Sequence, residues 1–317
     1  MESILSYEVQ SGAAWGWKVV LDLFLGGAGV GAFLLAVGIH AGFRGRYRRI
    51  CQTAAWIAPV LIVAGLVALL LKMGRPELMV LVFTQFAPTA PLWWGGILQT
   101  VLVIGTIWYA LRWRSTDAAD DDTTRRVGLL LMPIAVIVGA YHGLLLAVVT
   151  SRPLWNTGPT VVAAMLGFAT TGIAAVLLTH LLRMKRAGRL ADTEHLGEFL
   201  DDMRPVRTVL VGALVAQLGT FFLWWLSLAY GSLRDIQALA AANASYGTVF
   251  WWGGIGLGLV LPLLLGAYCV ARKAGAGRQM EVNMILLTST LILVGGFLFR
   301  LAVVLAGQSS LPIATLR

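Results

Sequence analysis

The chain has 317 residues, of which 58% are hydrophobic and only 12% charged, and its mean hydropathy is +0.81. A soluble domain carries about a quarter of its residues charged, so the composition excludes the ordinary soluble classes and points to an integral membrane protein. The net charge of +9 is gathered in particular connections without interleaved aromatics, which makes it a topology signal and not the footprint of a nucleic-acid partner.

Eight apolar runs, each near the roughly 20 residues a spanning helix needs, occupy about residues 15–40, 54–71, 92–111, 127–150, 159–182, 206–230, 248–270 and 282–306. An all-α membrane protein of about eight transmembrane helices is expected. Runs this continuous exclude a transmembrane β-barrel, whose strands alternate polar and apolar. Glu2 and Glu8 precede the first run and no basic n-region does, so the start does not read as a cleaved signal peptide.

The first run contains LFLGGAGVGAF, with Gly26, Gly27, Gly29 and Gly31. Such a small-residue face lets a neighbouring helix approach closely. It lies in mid-membrane with no strand before it, so it is not a nucleotide loop. MGRPE follows the second run, and FAPTAPLWWGG leads into the third. The fourth ends in AYHGLLLAVVTSRPLWN, residues 140–156. There Tyr141 and His142 interrupt hydrocarbon, which is costly unless they face a partner or ligand. Arg152, Pro153 and Trp155 close the run as a membrane-surface exit does. WWGGI opens both the third and the seventh runs. Either two four-span halves repeat in parallel, or the match is chance in a chain rich in Trp and Gly.

Odd-numbered connections carry the basic residues: Arg44, Arg46, Arg48 and Arg49; Arg112, Arg114, Arg125 and Arg126; Arg183, Lys185, Arg186, Arg189 and Arg204; Arg272, Lys273 and Arg278. Even connections and the tail hold only Arg75, Arg152, Arg234 and Arg317. The odd connections are therefore expected to be cytoplasmic, with both termini non-cytoplasmic. The acids of the third and fifth connections (Asp117, Asp120 to Asp122, and those within 192–202) read as solvated loops, the fifth with a short polar helix.

Of fifteen acids only Asp22 falls within a run. At about 1.5 Å per residue, Asp22 lies about 10 Å below the outer surface, Tyr141 and His142 about 13–15 Å, and Arg300 about 12 Å, with Lys72 at the outer end of the second run. Four helices thus place their odd polar groups in one layer. A hydroxyl, an imidazole and a carboxylate near a bilayer-accessible cleft suit a quinone headgroup, whose carbonyls need donors and whose redox steps need proton carriers. Blander readings stand beside this one. Asp22 pairs with Lys18, Lys72 or Arg300; Lys18 snorkels; His142 is an interhelical hydrogen-bonder; Tyr141 is packing. Cys51 and Cys269 stand far apart, with no CxxC or CxxCH, so no iron–sulfur or zinc site is expected. Among the histidines only His40 and His180 match in depth, and both read as interfacial, so no haem is expected.

The segment 141–156 with its terminal SRPLWN, the glycine run, FAPTAPLWWGG and MGRPE together resemble the NrfD/PsrC family, the membrane subunits of polysulfide reductase and related molybdoenzyme complexes. The match is good over the first half; in the second it rests on span number and residues 253–266. The resemblance implies two four-helix bundles, residues 1–155 with a menaquinone or ubiquinone site and residues 156–317 without. It implies no metal or haem in this chain, and electron exchange with a ferredoxin-like iron–sulfur subunit that connects to a molybdopterin catalytic subunit, in the bacterial inner membrane. Tyr141 falls on the family's quinone-site tyrosine. Asp22 stands about where polysulfide reductase has a quinone-contacting histidine, a departure, and Lys72-Met73 replaces the acid often found before GRP. The expected quinone site comprises Asp22, Tyr141 and His142 as the reacting groups, with Lys18, Gly26 and Lys72 around them. Arg75 and Arg152 meet the quinone rim or the partner subunit, or serve as ordinary interface charge. The alternative from another class is a secondary transporter or proton-translocating channel, with Asp22, Arg300 and Lys72 as an ion relay.

Overall fold

The structure, a computed structural model, describes residues 15–43, 46–72, 75–115, 121–190, 193–271 and 278–308, without the side chains of Leu78, Pro91, residues 193–195 and Arg278. Glu2, Glu8, Arg44, Met73, Gly74, Asp117, Asp120, Asp192, Arg272, Lys273 and Arg317 lie outside the described residues. Among the described residues, eight helices are long and apolar enough to cross a membrane. They are α1 (Trp17–Phe43), α2 (Arg48–Leu70), α3 (Pro91–Arg112), α4 (Asp122–Ala147), α5 (Thr160–Arg186), α6 (Thr193–Ala229), α7 (Leu233–Ala271) and α8 (Arg278–Ala306). A short 3-10 turn (Pro76–Val80) and one helical turn (Leu81–Thr84) join α2 to α3. The chain is a multi-pass membrane protein.

An even number of crossings returns the chain to the face it left. There the Trp15 amide donates to Gln308 Oε1 at 2.8 Å, and Gln308 Nε2 donates to the Trp15 carbonyl at 2.8 Å. Trp15 stacks on Trp155 at 5.2 Å, and the Trp155 indole donates to the Val303 carbonyl at 2.8 Å. These contacts tie the ends of α1, α4 and α8 together and mark one end of the bundle, the Trp15 face.

Helix α1 is central, packed on α2, α4, α5 and α8. Its glycines explain how. A Cβ on Gly29 would stand 2.8 Å from the Ala58 carbonyl of α2, and one on Gly31 would strike the Phe168 carbonyl of α5. Gly65 of α2 returns the fit against the Gly26 backbone, and Gly172 of α5 does so against Ala28 and Ala32. Lipid tails are as apolar as Leu, so helices gain from van der Waals fit and not from expelling water. Backbone-to-backbone approach at glycine is how α1 gains it on two sides.

Two boundaries differ from expectation. The polar helix expected in the fifth connection is continuous with the sixth span in a single helix, α6. Leu196, Phe199, Leu200 and Met203 recur at helical spacing and are buried, which extends the packed stripe past Pro205. Helix α7 starts at Leu233, where Ser232 and Asp235 form a capping box. Its 39 residues reach about 58 Å, roughly twice the hydrocarbon thickness, so the polar section Leu233–Thr248 projects beyond it. The second WWGGI is accordingly in mid-helix, inside a π-helical section (Val249–Val260), whereas the first opens α3 in regular α-helix.

Helix α4 is capped by Asp121, whose carboxylate accepts from the Thr123 amide at 3.0 Å and pairs with Arg112 at 2.6 Å. Hydrogen bonds from Thr124 and Arg112 hold that carboxyl below the usual range. At the end of the bundle opposite Trp15, Arg207 of α6 and Glu281 of α8 form a largely buried ion pair at 3.4 Å. His40 and His180, toward the ends of α1 and α5, are buried within the bundle. The Nδ1 of His40 shares a hydrogen bond with the Tyr109 hydroxyl at 2.9 Å, and that of His180 with Thr53 Oγ1 at 2.9 Å.

Candidate functional site

Three of the expected residues converge. Asp22 of α1 and His142 of α4 are both buried, at 6% and 5% exposure. They meet over Gly26: a Cβ there would stand 3.6 Å from Asp22 Oδ1 and 3.6 Å from His142 Nε2. The glycine leaves the space in which carboxylate and imidazole face each other. His142 Nδ1 lies 2.7 Å from the Val138 carbonyl, one turn earlier in α4. A carbonyl only accepts, so Nδ1 carries a hydrogen, and in the neutral ring Nε2 holds the lone pair that faces Asp22.

Tyr141, the next side chain round α4, turns toward α3. The hydroxyl end of its ring lies against Gly95 of the first WWGG, where any Cβ would collide with it. Val82 of the surface turn packs against the adjacent Gly96. The Tyr141 hydroxyl is buried without a hydrogen-bond partner among the described residues, and it lies within electrostatic reach of Asp22. The Tyr141 and His142 rings are 6.2 Å apart, edge to face, and His142 is 6.0 Å from Phe168.

The remaining expected residues are placed otherwise. Lys18 donates to the Leu71 carbonyl at 2.9 Å and so closes the end of α2. The Lys72 ammonium stands 5.9 Å over the Trp15 ring, and partial burial lowers its pKa. Arg75 is exposed. Arg152 donates to the Gln308 carbonyl at 3.0 Å, fastening the end of α8. Among the described residues, Asp22 makes no ion pair with Lys18, Lys72 or Arg300. Arg300 lies instead between the Phe24 and Phe168 rings, at 5.4 and 5.1 Å, and donates to the Gly296 carbonyl at 2.9 Å. The expected relay of Asp22, Arg300 and Lys72 is therefore not a contact chain.

A cavity opens between α4, α5, α6 and α8. Its wall includes His142, Gln217 and Arg300, while Asp22 and Tyr141 stand outside it. Sequence reasoning missed Gln217, an uncharged residue in a long apolar run, and gave Gly95 no role toward Tyr141. The WWGG pair was the available signal for the latter.

Eight packed apolar helices with a buried Asp–His–Tyr cluster near one face define a polytopic membrane protein with polar side chains held inside the bilayer. The family model described as "Polysulphide reductase, NrfD" matches residues 6–312. The chain belongs to the NrfD family. It is similar to a polysulfide reductase chain from Wolinella succinogenes, 25% identical over 96% of this chain and 97% of that protein. It is 30% identical to a Haemophilus influenzae NrfD homologue over 57% of this chain and about half, 52%, of that one. A selenate reductase subunit from Mesobacillus selenatarsenatis is 21% identical over 84% of this chain and 68% of that protein.

Proposed function

We propose that this chain is the membrane subunit of an oxidoreductase complex and exchanges electrons between the quinone pool and an iron–sulfur subunit. That subunit in turn serves a molybdopterin catalytic subunit. The observation that carries the reading is the buried Tyr141 hydroxyl, without a hydrogen-bond partner among the described residues, beside Asp22 and His142. A buried polar group without a partner is costly, and a quinone carbonyl is an acceptor that relieves it. The donor set fits a menaquinone or ubiquinone headgroup, which couples electron transfer to proton transfer when bound.

In this reading Tyr141 donates to one quinone carbonyl, with Gly95 fixing the ring. Asp22 takes or returns the proton, and His142 Nε2 passes it on. Gly26 keeps the two groups facing each other without a side chain between them. Lys18, Lys72 and Arg152 act indirectly, by holding the Trp15 face together. Residues 1–155 carry the site as one bundle and residues 156–317 form the second, in a bacterial inner membrane with both termini non-cytoplasmic. The names of the relatives, reductase subunits, favour this reading over a transporter.

The test is purification of the tagged chain from its native membrane in mild detergent. An iron–sulfur protein is expected to accompany it, and a menaquinol analogue is expected to bleach the cluster absorbance. A chain that purifies alone, or clusters unmoved by quinol, overturns the proposal.

A further inference from the structure

The cavity between α4, α5, α6 and α8 has features that the Asp22–Tyr141–His142 cluster does not use. Arg300 is 9% exposed, and among the described residues it forms no ion pair. Hydrogen bonds to the Gly296 carbonyl and, at 3.4 Å, to Thr171 Oγ1 occupy two of its donors. Two phenylalanine faces flank it. None of these contacts supplies a negative charge, and a buried charge is ordinarily paired.

A second donor points to the same spot. Gln217 of α6 accepts from Thr170 Oγ1 at 2.8 Å through its Oε1, which leaves the amide nitrogen facing α5. A Cβ on Gly167 of α5 would stand 3.3 Å from Arg300 Nη2 and 3.4 Å from Gln217 Nε2. Two nitrogen donors from separate helices thus converge over a residue that has no side chain, and Gly167, Gln217 and Arg300 all line the cavity. Above them the walls are hydrocarbon and aromatic: Leu146, Ala163, Phe221, Trp224, Phe299 and Val303. The cavity reaches Thr160, at the Trp15 end of α5.

We propose that this cavity binds an amphiphile with an oxyanion head on an acyl chain, a fatty-acid carboxylate or a lipid phosphate. The oxyanion sits over Gly167 between Arg300 and Gln217, and the acyl tail lies along Trp224 toward Thr160. The bound anion neutralises Arg300, and its tail fills the seam between α4 and α5 on one side and α6 and α8 on the other. His142 forms part of the same wall, so an occupied cavity also keeps water from that side of the ring.

The purified, delipidated chain is titrated with dibromostearate, dibromostearyl methyl ester and dibromo-phosphatidylglycerol, and quenching of Trp224 is read as the difference from Trp224→Phe. Saturable quenching by the carboxylate or the phosphatidylglycerol is expected, and the stronger of the two identifies the source of the oxyanion. The ester is expected to bind more weakly, and Arg300→Gln to weaken the anionic probe about tenfold or more. Arg300→Lys, which keeps the charge, is expected to restore part of the loss. Gln217→Leu, which leaves Arg300 in place, is expected to weaken binding if Arg300→Gln does not fold. Equal binding of ester and acid, or no loss in Gln217→Leu and Arg300→Gln, overturns the proposal. So does displacement of the probe by decylubiquinone, which would assign the cavity to the quinone. The measurement uses no redox partner, so it stands or falls separately from quinol-linked turnover.

Discussion

Replacing Tyr141 by Phe removes one oxygen atom and leaves the ring seated on Gly95. The hydroxyl has no protein partner among the described residues, so the substitution breaks no hydrogen bond of the fold. An unsatisfied buried polar group costs on the order of 1–3 kcal/mol, and removing it leaves the thermal midpoint of the chain unchanged or raises it. The bond to a quinone carbonyl is what is lost. A net hydrogen bond contributes about 0.5–1.5 kcal/mol, and about 1.4 kcal/mol is a factor of ten. The kcat/KM for quinol should therefore fall about two- to tenfold. The assay pairs quinol-linked turnover of the intact complex with a melt of the same preparation in detergent. A lower melting point with turnover untouched would refute the reasoning, because the hydroxyl would then be serving the fold and not the ligand.

Asp22→Asn keeps the shape of the side chain and removes its ionisation. The pH profile of quinol-linked turnover is expected to change form, and an unaltered profile would reject the proton role. Gly31→Val drives a branched side chain into the Phe168 carbonyl of α5, which cannot move aside. A loss of at least about 1–3 kcal/mol is expected from overpacking, read as a lower melting point; an unchanged melt would show that α1 and α5 do not pack as described. At the opposite end, Arg207→Met strands Glu281, and such a break costs about 3–5 kcal/mol. The double change Arg207→Met with Glu281→Leu should recover most of it, and a double variant no better than the single would argue against direct pairing.

Much of this architecture was legible in the chain itself. Run length and hydropathy fixed eight spans because a bilayer allows few alternatives: backbone polar groups without water must be satisfied within each helix. Intramembrane Asp22, Tyr141 and His142 stood out because polar side chains are rare there. LFLGGAGVGAF announced close packing because only glycine permits it.

What the sequence did not decide was which groups face each other. Depth placed Asp22, His142 and Arg300 in one layer, yet depth is a single coordinate and says nothing of rotation about the helix axes. Only the packing of α1 against α2 and α5 turned Asp22 toward His142 and sent Lys18 to the Leu71 carbonyl. The same packing left Arg300 between two phenylalanines, facing a cavity. The extension of α6 across Pro205 was hidden for a related reason. A stripe of Leu196, Phe199, Leu200 and Met203 has value only against a partner surface, and that surface comes from helices distant in sequence.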